Sequence, residues 1–134
     1  MRTYHEDGTL PEGDDQWIWV FGSKLAGIHG AGAALVAYNK FEFPMYQNVG
    51  LRGRAYAIPT KDRDVRTPLS LSVIQNWVNH FIAFARLRID SNKFFVTAIG
   101  CGYAGYTNAE IAPMFKGAPD NCSFPHTWRE FLGD

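Results

Sequence analysis

The sequence of 134 residues has no net charge, almost no cysteine and no long apolar run. Its 13 Lys and Arg residues balance 13 Asp and Glu residues, which leaves no electrostatic footprint for duplex nucleic acid or an anionic membrane. No window approaches the roughly 18 apolar residues of a membrane-spanning helix. We therefore expect no duplex nucleic acid and no membrane among its partners, and any nucleic-acid role would concern a single nucleotide.

The two cysteines, Cys101 and Cys122, are too few for a disulfide framework and lack the C-x-x-C spacing of a zinc site. Free thiols in a reducing compartment are the expectation, and one disulfide between them is the alternative. His5, His80 and His126 show no metal-ligand spacing with one another or with the cysteines, so we expect neither a metal nor another cofactor. The first eight residues contain no apolar core of a signal peptide, which favours a cytoplasmic protein.

The length predicts one domain, residues 17–134, preceded by an N-terminal arm at 1–16. The arm is polar and turn-rich, and we expect it to add at most a short edge strand near residues 2–4. Apolar runs predict strands at 17–21, 54–58, 93–99 and 121–124, and helical patterns lie at about 31–39, 71–86, 109–116 and 127–132. Alternating strands and helices predict an α/β domain with a partly parallel sheet and helices on both faces.

Two glycine-rich stretches give the clearest indication of a ligand-binding site. One follows the apolar run Trp17–Phe21 and contains Gly22, Gly27, Gly30 and Gly32 before an alanine-rich helix start. The other covers 100–105 and also lies between a strand and a helix. If their strands are neighbours in a parallel sheet, both loops face one crevice, where backbone N–H groups and helix dipoles bind a pyrophosphate. The alternative is that the glycines serve only turns and close packing.

Two familiar phosphate motifs do not fit these stretches. No G-K-[ST] follows either loop, so the lysine and magnesium ligand of a P-loop are missing. The run Gly27–Gly32 is no dinucleotide fingerprint, since no acidic residue follows about 20 positions later at a second strand end. The irregular stretch 40–53, with its isolated aromatic residues, predicts a functional rim or lid.

The run 94–106, in which a strand enters a Gly-x-x-Gly-aromatic loop, resembles the phosphate loop of macrodomains. Residues 20–33 resemble the earlier strand and first glycine loop of that family. Together with 57–62 and 111–113, the chain is similar over about 17–125 to small macrodomain-like proteins of bacteriophages and their hosts. The resemblance implies a three-layer α/β/α fold with a mixed, partly parallel sheet. It also implies binding of ADP-ribose or a related nucleotide, in the host cytoplasm if the protein is phage-encoded.

The loops and the resemblance together predict a set of ligand-binding residues. It comprises Gly22, Ser23, Lys24, Gly30, Ala31, Gly32, Lys61, Gly100, Cys101, Gly102, Tyr103, Ala104, Gly105 and Tyr106. The chain departs from the family at Lys24, where many macrodomains have asparagine, and at Ala104, where an aromatic residue often stacks on the distal ribose. The family's adenine-reading aspartate has no clear counterpart before Trp17.

Some macrodomains only bind, whereas others hydrolyse ADP-ribosyl esters or remove the phosphate of ADP-ribose 1″-phosphate. A hydrolase needs a group that activates water, and the candidates are His29 as general acid or base and Asp62 after the second long strand. Cys101 is a nucleophile candidate only if a helix N-terminus activates it. Each of these residues also has an interpretation without a function in binding or catalysis. Lys24 would be a solvent-exposed loop lysine, His29 would hydrogen-bond the backbone, and Cys101 would be a small buried residue. A third hypothesis is an interaction protein whose crevice is filled by Lys24, Tyr103 or Tyr106.

Overall fold

The computed structural model describes residues 2–12, 17–27, 29–64, 66–102 and 104–133. They form a six-stranded mixed sheet in the order β1-β6-β5-β2-β4-β3, parallel throughout except for β3, which runs antiparallel to β4. The strands are β1 Thr3–His5, β2 Trp17–Lys24, β3 Gly50–Arg52, β4 Ala55–Lys61, β5 Lys93–Val96 and β6 Cys122–Pro125. The helices are α1 Gly32–Lys40, α2 Leu71–Leu87, α3 Asn108–Ile111 and α4 Arg129–Leu132, with 3-10 turns at Ala112–Phe115 and His126–Trp128.

Helices cover both faces of the sheet, as the α/β prediction requires. The central strand β2 is apolar without interruption because each of its faces meets a separate core. Ile18 and Val20 join the cluster that includes α2, whereas Trp19 and Phe21 join the cluster that includes α1. Sheet and helices thus form three layers, and β2 holds the middle of the molecule.

The predicted helix at 71–86 is confirmed as α2. The Ser70 hydroxyl accepts the backbone N–H of Val73 and caps its first turn. Ile74, Val78 and Phe81 are completely buried, at the i, i+4, i+7 spacing of one helix face. This face packs on β4 and fixes one side of the sheet.

Several predicted elements end elsewhere in the structure. The strand predicted to end at 21 runs to Lys24, and the strand predicted to end at 58 runs to Lys61. The strand predicted to continue to 99 stops at Val96, because the chain turns after it. The Ile99 N–H donates to the Thr97 carbonyl at 2.7 Å in this turn. The stretch 40–53 is not wholly irregular, since its last residues form β3. The helix predicted over 109–116 changes into a 3-10 turn at Ala112–Phe115, where Pro113 removes a backbone donor.

The N-terminal arm contributes an edge strand, one residue later than predicted. Residues Thr3–His5 form β1, which pairs in parallel with β6. In the part of the chain that the structure describes, no helix combines the length and apolarity needed to cross a membrane. Cys101 and Cys122 are both free thiols.

Candidate functional site

A cleft of about 760 Å³ lies where the parallel strands β2, β4 and β5 end, a size typical of small-molecule sites. Its walls come from the end of β2, the first turn of α1, the end of β4 and the loop after β5. Because β2 and β5 are direct neighbours, the two glycine-rich stretches meet at one edge of the sheet. The crevice expected between them is therefore present.

The first turn of α1 presents uncapped backbone to this cleft. Its N-cap residue, Ala31, has no side chain that can accept a hydrogen bond, and the first turn contains no acidic residue. By contrast, α2 is capped by Ser70, and α3 by the reciprocal pair Thr107 and Glu110. Residues 31–34 line the cleft, so the positive end of the α1 dipole is available to an anion there.

Close backbone contact brings the two glycine-rich stretches together. A Cβ on Gly22 would lie 3.1 Å from the Thr60 hydroxyl oxygen and 3.5 Å from the Gly100 backbone nitrogen. The Thr60 hydroxyl donates to the Ser23 carbonyl at 3.3 Å, and the Thr97 hydroxyl donates to a carbonyl of β2 at 2.8 Å. These contacts join the ends of three strands, and a side chain at position 22 would fit only if Thr60 shifted by a few tenths of an ångström.

The loop after β5 is held by its own backbone and by Tyr106. The Tyr106 N–H donates to the Gly100 carbonyl at 2.8 Å, and its hydroxyl donates to the Leu69 carbonyl at 2.6 Å. Burial, helped by the nearby charges of Asp7 and Glu110, raises the pKa of the Cys101 thiol to about 11. Cys101 is thus a protonated thiol at neutral pH, which argues against a nucleophilic role.

The segment 44–48 supports the first glycine loop from outside the cleft. The Ser23 hydroxyl donates to the Asn48 carbonyl at 2.6 Å, and the Asn48 amide donates to the Leu25 carbonyl at 2.7 Å. The Tyr46 N–H donates to the Gly27 carbonyl at 2.6 Å. Gly27 has φ of 71°, and a Cβ there would lie 2.5 Å from the Tyr46 Cα, so only glycine fits.

His29 lies in this packing rather than in the cleft. Its ring is completely buried, and Nε2 donates to the Pro44 carbonyl at 3.0 Å. The ring makes edge-to-face contacts with Phe21 and Phe43, whose ring centroids lie 5.8 and 5.2 Å from its own. Burial lowers the pKa of His29, so the ring is neutral and anchors two loops to each other.

The described part of the cleft carries more positive than negative charge. Lys24, Lys40 and Lys61 line it, and Asp7 is the acidic residue among the lining side chains. Lys61 ends β4 and is only 9% exposed. In a chain without net charge, this local excess favours an anionic ligand.

Sequence reasoning missed one wall and the floor of the cleft. The wall is the segment after β1, where Asp7, Thr9 and Leu10 line the cleft. The floor is aromatic: Phe95 stacks on His5 at 3.7 Å and on Trp19 at 5.5 Å between ring centroids. Period-2 spacing in β2 could have placed Trp19 on this face, but no local pattern places the arm, which reaches the cleft through β1–β6 pairing.

The structure brings together most of the predicted site. Gly22, Ser23, Lys24, Ala31, Gly32, Lys61, Gly100, Cys101, Gly102 and Ala104 line the cleft. Gly30, Gly105, Tyr106, His29 and Asp62 are not among its lining residues, and Tyr103 lies outside the described residues. Asp62 is exposed, and its carboxylate accepts the Arg63 N–H at 2.7 Å. Within the described ranges, no three His, Cys, Asp or Glu side chains group closely enough to hold a metal ion.

Comparison with known proteins bears on the fold. No protein-family model matches the sequence, and no curated protein matches it either. Among solved structures, the macrodomain of Mycobacterium tuberculosis DarG matches with a TM-score of 0.64 at 20% sequence identity. The match covers 93% of this chain and 97% of that one. The chain therefore has the three-layer α/β/α fold of a macrodomain, built on a mixed and mostly parallel sheet.

Proposed function

We propose that the cleft binds ADP-ribose or a closely related nucleotide that contains a pyrophosphate. One observation carries the proposal: the uncapped first turn of α1 and the described residues of the second glycine-rich loop, 100–102 and 104, line the same cleft. A helix N-terminus and a glycine loop offer backbone N–H groups to phosphate oxygens at short range. The macrodomain fold supports ADP-ribose as the first ligand to test.

The pyrophosphate would lie between Gly32 and Gly102. Each charge-assisted hydrogen bond from a backbone N–H contributes about 1.5–3 kcal/mol. Two or three such bonds bind a pyrophosphate without an arginine, which agrees with the described lining residues. Ser23, Lys24, Thr60 and Lys61 then lie beyond the phosphates, where the distal ribose would extend.

The other end of the cleft suits a nucleobase. Trp19, Phe95 and Val36 line it and offer an apolar surface to the face of an aromatic ring. Asp7 lies on the rim, where its carboxylate would accept a hydrogen bond from the exocyclic amine of adenine. We assign Asp7 this role, for which sequence reasoning found no residue.

Binding agrees with the described site better than hydrolysis does. His29 is buried against Pro44, and Asp62 is exposed beside Arg63, so neither candidate base lines the cleft. The raised pKa of Cys101 argues against a thiolate nucleophile. The hypothesis of an interaction protein with a filled crevice also agrees poorly with the described structure. The cleft is open, and the Tyr106 hydroxyl donates to the Leu69 carbonyl instead of filling it.

Titration calorimetry with ADP-ribose tests the proposal, with AMP and ribose 5-phosphate as the two halves of the ligand. ADP-ribose should bind at least about tenfold more tightly than AMP, since its second phosphate adds at least one charge-assisted bond. No heat at millimolar ADP-ribose would overturn the proposal. If AMP bound as tightly as ADP-ribose, the second phosphate would not contribute to binding, and the pyrophosphate part of the proposal would be refuted.

A further inference from the structure

Asn108 lines the cleft, and the proposed function gives it no role. It is the first residue of α3, where the reciprocal cap of Thr107 and Glu110 fixes the backbone. The Thr107 hydroxyl accepts the Glu110 N–H at 3.2 Å, and the Glu110 carboxylate accepts the Thr107 N–H at 3.0 Å. The start of α3 is therefore a firm support for the Asn108 side chain.

A tryptophan decides which way the Asn108 amide points. The indole N–H of Trp128 donates to the Asn108 Oδ1 at 2.9 Å, and Trp128 is completely buried. An indole nitrogen can only donate, so the amide atom that faces it is the oxygen and not the NH2 group. A buried indole N–H without a partner is costly, which keeps the amide in this orientation.

The NH2 group of Asn108 has no acceptor in the part of the chain that the structure describes. Asn108 borders both the cleft and a shallower surface groove lined by His126 and Arg129. An amide NH2 group offers two donors and no acceptor. At the cleft it can therefore bind only a ligand atom that accepts hydrogen bonds.

Asp7 and Asn108 lie on the same side of the cleft. The carboxylate of Glu6, the residue before Asp7, lies 3.5 Å from the His126 Nδ1, and His126 is two residues before the tryptophan that holds Asn108. The charge of Asp7 and that of a carboxylate in α3 both raise the pKa of the Cys101 thiol. The arm and the start of α3 thus meet around Cys101, which itself lines the cleft.

The part of a ligand that lies at this side is uncharged. A phosphate beside the Asp7 carboxylate would be repelled, which keeps the pyrophosphate at its proposed position between Gly32 and Gly102. A base on the aromatic floor lies against Phe95, which stacks on His5 at 3.7 Å. Because Asp7 follows His5 by two residues and its charge acts on that ring, the edge of the base faces Asp7 and its surroundings.

We propose that Asn108 makes the site specific for adenine by donating a hydrogen bond to the ring nitrogen beside the exocyclic amine, N1 or N7. This inference rests on the proposed function, since it takes the base on the aromatic floor with its amine at Asp7. A carboxylate that accepts and an amide that donates match the amine and the neighbouring ring nitrogen of adenine. Hypoxanthine carries a carbonyl oxygen in place of the amine and an N–H at position 1, so it offers the opposite pattern.

The test compares ADP-ribose with two analogues that change only the base, by titration calorimetry. IDP-ribose carries hypoxanthine, and 7-deaza-ADP-ribose has a carbon in place of N7. The wild-type protein should bind IDP-ribose at least about tenfold more weakly than ADP-ribose, because a mismatched polar group loses its hydrogen bond. The 7-deaza analogue should bind about fivefold more weakly if N7 is the acceptor, and equally if N1 is.

Asn108→Asp replaces the donor by an acceptor and keeps the oxygen that the Trp128 indole needs, so the thermal unfolding midpoint should stay near that of the wild type. The new charge weakens all three ligands alike, and the readout is therefore the ratio of their affinities. If N1 is the acceptor, the preference for ADP-ribose over IDP-ribose should shrink at least about fivefold. If N7 is the acceptor, the preference over the 7-deaza analogue should fall to about one.

Asn76→Asp is the matched control. It makes the same exchange at an exposed residue of α2 that does not line the cleft, and it should leave both ratios unchanged.

The outcomes separate this inference from the function on which it rests. If ADP-ribose gives no heat at millimolar concentration, the proposed function fails. If ADP-ribose binds but both ratios are the same in Asn108→Asp as in the wild type, the role of Asn108 is refuted and the proposed function stands. Equal binding of all three ligands by the wild-type protein would refute that role as well.

Discussion

Gly102→Val is the sharpest test of the anion site. Gly102 is exposed, lines the cleft and has a φ outside the left-handed region. A Cβ at this position would meet no atom within 4 Å, so the described structure leaves open space around it. The new side chain would instead occupy the volume that the loop offers to a phosphate.

The expected loss follows from the bonds that the valine blocks. Keeping a phosphate away from one backbone N–H removes a charge-assisted bond of about 1.5–3 kcal/mol. At about 1.4 kcal/mol per factor of ten, ADP-ribose should bind roughly 10- to 150-fold more weakly. Thermal unfolding should show nearly the same midpoint as the wild type.

Gly30→Val is the matched control. Gly30 is also an exposed loop glycine with open space around a Cβ and no positive φ, but it does not line the cleft. Its affinity for ADP-ribose, measured by the same calorimetry, should stay within twofold of the wild type. If Gly102→Val bound ADP-ribose with unchanged affinity, the loop that contains Gly102 would not be part of the binding site. If both variants lost the same affinity, the position of Gly102 in the cleft would not explain its effect.

Three further predictions concern the support of the site. Burial lowers the pKa of His5 to about 4. The unfolded chain therefore takes up the proton first, and the free energy of unfolding should fall as pH drops from about 6.5 to about 4. His5→Phe should flatten that fall in denaturant titrations at pH 7 and 4.5; an unchanged slope would contradict the assignment. Gly27→Ala should destabilise by about 1–3 kcal/mol or more, because its Cβ would strike the Tyr46 backbone, and a wild-type unfolding midpoint would contradict this packing. His29→Ala should lower stability by about 2–4 kcal/mol through the cavity it leaves, whereas loss of an ADP-ribosyl hydrolase activity in a folded variant would restore His29 as a catalytic residue.

Local sequence patterns predicted the elements whose cause is local. The helical pattern at 71–86 predicted α2, because helical spacing alone decides which side chains share a face. The reciprocal capping of α3 by Thr107 and Glu110 also has a local cause, since the two residues are three positions apart. The change to a 3-10 turn at the end of that helix has a local cause as well, since Pro113 lacks a backbone N–H.

Other features of the structure were not predictable in this way, most of them because they depend on distant residues. The strand at 93–99 stops at Val96 because of a turn that its apolar composition hides. Tyr106 belongs to a glycine-rich loop and looked like a ligand contact, but its hydroxyl bonds Leu69 from another part of the chain. The burial of Lys61 follows from its place in β4, although the residues that follow it, 62–64, are charged and exposed.

The sequence by itself determined two strands that each run into a glycine-rich turn, and with them the expectation of an anion site. Only the tertiary structure decided that these strands are neighbours, that the first turn of α1 is left uncapped at the cleft and that His29 faces away from it. It also decided that the N-terminal arm supplies a wall of the cleft and that Lys40 lines it. The physical reason is that helix periods and turns act over a few residues, whereas a cleft is defined by strand pairing and packing between segments far apart in the chain.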